Sequence, residues 1–164
     1  MKIRLRAAAR AALLCSATLA AATATAQEKE ATAMRVRYAG SYESDQLLKE
    51  PVVRAELQRL LGPELRHLQQ NLNVAGAIDL VGGVLSFSGN APHKGTEEEA
   101  VVCVVPPGQM VEAAIFSRGA VTVFTKAAQY DHTTLCIKDW ITLANSRHAD
   151  RLKQPRNVRV LNPR

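Results

Sequence analysis

The chain lacks an apolar run long enough to cross a bilayer. Its longest, Ala11 to Ala22, falls short of the roughly 20 residues a spanning helix needs, which excludes a stable membrane anchor. It has no internal repeat and no long low-complexity linker, so neither a repeat array nor a second tethered domain is expected. Patterns that mark common catalytic sites are missing too: there is no Gly-x-Ser-x-Gly elbow, no phosphate-cradling glycine loop and no His-Glu-x-x-His. His67, His93, His132 and His148 stand apart, without the close spacing of a zinc site. No enzyme, metal or cofactor is expected from such a chain. Cysteine is scarce, with three in 164 residues.

What is present begins with an export signal over residues 1–26. Lys2, Arg4, Arg6 and Arg10 precede the apolar stretch with no acidic residue among them, and Ala24-Thr25-Ala26 follows as a small-residue cleavage site. Leu14 before Cys15 argues against lipidation there, because that chemistry wants a small residue. The expected location is periplasmic or secreted. The formal net charge of +6 includes those four N-terminal cations. The remaining cations are interspersed with carboxylates, so nucleic acid is not an expected partner. A basic tail over 147–164 is the exception and reads as solvated or partly ordered. Cys103 and Cys136 survive cleavage. In an oxidising compartment they can pair, while Cys103 within Val101 to Val105 fits equally well as a buried free thiol.

Between signal and tail, residues 27–40 read as a flexible lead-in and 41–146 as one domain. Leu47, Leu48, Val52, Val53, Leu57, Leu60 and Leu61 recur at helical spacing from Gln46 to Leu61, with Asp45 placed to cap the start. Gly62-Pro63 then ends that helix and opens a second with Leu65, Leu68 and Leu72. Five strand-like segments follow: Ala77 to Val81, Val84 to Ser88, Ala100 to Val105, Met110 to Ser117 and Ala120 to Lys126. Their brief turns require antiparallel neighbours. Tyr130 to Leu135 reads as a loop and Ile137 to Asn145 as a closing helix. The expected class is α+β, a five-stranded antiparallel meander with an N-terminal helix pair and a C-terminal helix on one side or end. Nothing in the sequence specifies an oligomeric state.

One connection is longer than a hairpin needs. The segment Gly89-Asn90-Ala91-Pro92-His93-Lys94-Gly95 leads into Thr96 and Glu97-Glu98-Glu99. Pro92 fixes the path, Gly89 and Gly95 permit bends at its ends, and Lys94 sets a cation beside the His93 imidazole. Imidazole and ammonium together can donate hydrogen bonds to carboxylates in an acidic cleft. The three glutamates read as a solvated charge run ahead of an apolar strand. His67 reads as a surface residue, and Tyr130-Asp131-His132 as a turn rather than an oriented base.

At this loop the chain resembles the inhibitor of vertebrate lysozyme family, in which a loop Cys-Lys-Pro-His-Asp-Cys sends its histidine into a lysozyme cleft. The matching stretch is Asn90-Ala91-Pro92-His93-Lys94-Gly95, followed by an apolar strand and by Gln109-Met110 leading to Ile115-Phe116-Ser117. The resemblance covers residues 84–120. It implies a periplasmic proteinaceous inhibitor of c-type lysozyme or another muralytic enzyme, with residues 89–95 as the binding loop. Asn90 and Gly95 stand where that family has cysteines and Lys94 where it has aspartate, so the resemblance implies a looser loop here. The alternative is an envelope protein for a small ligand or for stress, with a pocket under its helices and an incidental loop.

Overall fold

Helices lead the chain. The long α1 (Ala7–Tyr38) is followed by α2 (Ser44–Lys49), α3 (Pro51–Leu61), a 3-10 turn (Gly62–Glu64) and α4 (Leu65–Asn71). The structure, a computed structural model, describes residues 7–147 and 158–162. The single helix expected from Gln46 to Leu61 is divided at Pro51. Proline lacks an N–H and forces the residue before it out of helical space, and Glu50 accordingly has φ −53° and ψ 129°. Asp45 lies inside the first turn of α2 rather than capping it; the N-cap position is Glu43. Gly62 ends α3 with φ +52°, as its place in the sequence requires.

Residues 27–38 are not a loose lead-in. They form the second part of α1, and Met34 and Tyr38 are buried in the main core because they fall on one helical face. Burial, with a hydrogen bond from its hydroxyl to Glu50, pushes the Tyr38 phenol up to about 12. Residues 1–6 of the expected signal lie outside the described residues.

Among the described residues the sheet has seven strands, two more than expected: β1 (Val74–Ala75), β2 (Asp79–Val81), β3 (Val84–Asn90), β4 (Glu98–Val105), β5 (Met110–Ser117), β6 (Ala120–Phe124) and β7 (Val158–Leu161). They run in the order β1-β3-β4-β5-β6-β7, with β2 also paired to β3. From β2 to β6 the expected antiparallel meander is present. The sheet is nonetheless mixed, because β7 pairs parallel to β6. The chain reaches β7 only after the helix α5 (Leu135–Arg147), and so long a return permits a parallel neighbour. Part of the expected tail is therefore an edge strand. His148 and Arg151, Lys153 and Arg156 lie outside the described residues.

Helices cover both faces of the sheet, not one. Alternation along β4 sends Ala100, Val102 and Val104 to the face covered by α1, α3 and α4, and Val101 and Cys103 to the face covered by α5. This explains why Ala100 to Val104 of β4 and Ala113 to Phe116 of β5 are apolar without a break: both sides of each run are buried. Leu57, Leu60 and Leu68 fill the first face; Ile137, Trp140 and Ile141 fill the second.

Two devices hold α5 down. Cys103 of β4 and Cys136 of α5 are joined as a disulfide, with Cα atoms 6.2 Å apart. Beside them Glu112 of β5, 2 % exposed, accepts hydrogen bonds from Thr125 Oγ1 (2.6 Å), Thr134 Oγ1 (2.6 Å) and the Thr134 N–H (2.9 Å). A buried carboxylate is tolerable only when its lone pairs are occupied in this way.

Candidate functional site

The β3–β4 loop is built from two consecutive turns. In the first, Ala91-Pro92-His93-Lys94, the Lys94 N–H donates to Ala91 O at 3.0 Å. Proline occupies the second position and His93, with φ +61°, the third, which is the arrangement of a type II turn. In the second, Lys94-Gly95-Thr96-Glu97, the Glu97 N–H donates to Lys94 O at 3.0 Å and Thr96 has φ +75°. Glycine or asparagine normally fills such positions, because a Cβ there costs on the order of 1–2 kcal/mol. Strain of this kind concentrates where a side chain must be presented. The His93 and Lys94 side chains are exposed.

The bends differ from those expected of the glycines. Gly89 lies within β3, where a Cβ would come 2.7 Å from Val74 O; its role is to admit β1. Gly95 has no left-handed backbone. A Cβ at Gly95 would lie 3.7 Å from Asn90 Nδ2, so the two residues that stand where the related loops have cysteines face each other. Asn90 Nδ2 donates to Ala91 O at 2.9 Å, and the Ala91 N–H to Glu98 O at 3.0 Å. The loop base is closed by hydrogen bonds, and it is more regular than the loss of the bridge implies.

Of the three glutamates expected in solvent, Glu97 is exposed, whereas Glu98 and Glu99 anchor this base. Strand alternation turns Glu98 and Glu99 to opposite faces. Glu98 meets His67 Nε2 (2.8 Å) and Asn71 Nδ2 (3.2 Å) of α4 and Ser117 Oγ (2.7 Å) of β5. Glu99, 4 % exposed, pairs with Arg147 of α5 at 3.1 Å. Burial raises the Glu98 pKa, but the hydrogen bonds from His67, Ser117 and Asn71 outweigh it and leave the carboxyl below its ordinary 4.5. His67, expected at the surface, is this anchor's partner and reaches Glu64 with its other nitrogen at 3.3 Å. Its i, i+4 spacing to Asn71 was the available signal, since that spacing puts both on one helical face.

Tyr130–His132 forms a 3-10 turn between β6 and α5. It lies at the far end of the sheet from His93: the loop leaves beside the Asn90–Glu99 pair, whereas Thr134 bonds Glu112, opposite Cys103. The intervening β4 spans about 14 Å at roughly 3.4 Å per residue. His93 and His132 do not meet, which removes the histidine pair a catalytic reading would require. Among the described residues no cluster of His, Cys, Asp or Glu could hold a metal ion.

The architecture defines a class first: an α+β domain that exposes a short loop carrying His93 and Lys94 at one end of a mixed sheet. The family described as Inhibitor of vertebrate lysozyme (Ivy) matches residues 52–146, more than half of the chain, and the chain belongs to that family. The match runs from α3 into α5 and contains the loop with His67, Asn71, Glu98, Glu99 and Ser117, while Arg147 lies just beyond it. No curated protein and no solved structure matches the chain.

Proposed function

We propose that this protein is an exported inhibitor of a glycan-cleaving enzyme, a lysozyme of the c-type or another muralytic hydrolase, and that the loop around His93 occludes the enzyme's cleft. The observation that carries this reading is the left-handed, exposed His93 at the third position of a Pro-containing turn. Glycosidases use paired carboxyl groups as acid and as nucleophile or base. The His93 imidazole and Lys94 ammonium would donate charge-assisted hydrogen bonds to those carboxylates. No covalent bond forms, and inhibition is by occupancy alone. Family membership supports the inhibitory role, and the Cys103–Cys136 bridge supports an oxidising compartment such as the periplasm or exterior. Among the described residues no helix is long and apolar enough to cross a membrane.

The test is inhibition of purified c-type, g-type and invertebrate-type lysozymes by the purified protein. At least one should be inhibited, and His93→Ala should weaken that inhibition by a factor of ten or more, with an unchanged melting temperature. Absence of inhibition at large molar excess, or full potency of His93→Ala, overturns the reading.

One observation favours the small-ligand alternative. An open groove of about 570 Å³ lies along α5, lined in part by Val84, Val101, Leu135, Trp140 and Leu143. On that reading an apolar ligand would raise the melting temperature of the wild type and of His93→Ala alike.

A further inference from the structure

We infer that the partner-binding surface does not end at the β3–β4 loop but includes the neighbouring β5–β6 turn, with Arg118 as a second contact to the acidic rim of the bound enzyme's cleft. The inference rests on the reading of the His93 loop as an inhibitory element and extends it to a residue outside that loop.

Backbone conformation is the first ground. Among the described residues, the non-glycine residues with left-handed φ are His93, Thr96 and Arg118. All three fall in two turns at one end of the sheet. Register places them there: Asn90 pairs with Glu99, Glu98 with Ser117, and Ser117 with Ala120 across the second turn. The turns are about two strand spacings apart, roughly 10 Å, and Ser117 Oγ joins them through its 2.7 Å bond to Glu98 Oε1.

The turn Ser117-Arg118-Gly119-Ala120 is a two-residue hairpin in which both central residues have positive φ, +53° and +78°. That geometry favours Asn-Gly or Gly-Gly. The same sheet supplies its own control. At the opposite end the β2–β3 hairpin meets the same demand with Gly82-Gly83, at φ +58° and +81°. An arginine at the equivalent place beside the loop has no local reason to be there.

Charge is the second ground. His93, Lys94 and Arg118 are all exposed. Among the described residues neither Lys94 nor Arg118 pairs with a carboxylate, whereas Glu98 and Glu99 are occupied by His67 and Arg147. Glu97 is the exposed carboxylate in the loop, so three donor groups face solvent against one acceptor. An acidic surface is what such an end of the molecule fits, and exposed charges of this kind act through association rate and salt dependence.

Arg118→Gly separates presentation from folding, because glycine suits φ +53° better than arginine does. Against a lysozyme that the parent inhibits, this variant should melt at or above the parent's temperature yet bind about tenfold more weakly. Its affinity should also fall less steeply with added salt, and Arg118→Lys should restore most of the binding. Affinity within twofold of the parent with the same salt dependence overturns the inference, and if His93→Ala is impaired in that assay, the inhibitory reading survives. A parent that inhibits no lysozyme removes both.

Discussion

Glu98 shows how one side chain couples the loop to the scaffold. Its carboxyl titrates below 4.5 in the fold because hydrogen bonds to the charged form outweigh its burial, and the hydrogen bonds from Arg59 and Lys126 likewise hold Glu56 low against the opposing effect of burial. A group whose folded pKa lies below its unfolded one stabilises the fold at pH above the unfolded value; that contribution disappears as pH falls through the folded value. Stability should therefore decline below about pH 4.5. Glu98→Gln should lower the melting temperature at pH 7, at a cost of about 1–2 kcal/mol, and flatten the acid limb of a melting profile taken from pH 7 to pH 2.5. Amide exchange across residues 91–97 should quicken at neutral pH. An unchanged acid limb would mean that Glu98 is not the group responsible. The exposed loop around His93 was legible in the sequence, because glycine, asparagine and proline crowd residues 89–95, although the bends fall at His93 and Thr96 and not at Gly89 and Gly95 as expected. Its anchor was not: His67 is 31 positions from Glu98, and no local rule joins them.

At the scale of elements, α5 is held on β4 and β5 by a covalent bridge and a buried carboxylate. The bridge closes a separation of 33 residues, for which chain-entropy arguments give about 3–4 kcal/mol of stabilisation. Replacing both Cys103 and Cys136 by alanine should lower stability to denaturant by that order, with amide exchange rising first in α5. The loop around His93 stands on the other end of β4, so its inhibitory potency at low temperature should be retained. Helical and strand periods were readable because each is set by neighbours three, four or two positions away. The division at Pro51 was readable too, and the run of leucines on both sides of it obscured it. That helices cover both faces was also implied by the unbroken apolar character of Ala100 to Val105, since a strand with one wet face would alternate.

For the molecule as a whole, β7 decides how the sheet ends. Leu161 packs on the main core and the Thr125 N–H donates to Leu161 O at 3.1 Å. A chain ending before Val158 would leave β6 as an unpaired edge, which invites association. Such a truncation should melt several degrees lower and elute from size exclusion as concentration-dependent oligomers, whereas the parent's profile should not change with concentration in that way. The sequence by itself determined the α+β class, the order of the elements from α3 to α5 apart from the short, unforeseen β1, the meander and the exposed loop around His93. Each of these follows from periodicity or turn chemistry within a few residues. Only the tertiary structure decided the parallel strand at the C-terminal end, the burial of Met34 and Tyr38, the pairing of Cys103 with Cys136 and the alignment of Arg118 beside the loop. These depend on contacts between residues far apart in the chain, whose partners are chosen by how the whole core fills and not by any local preference.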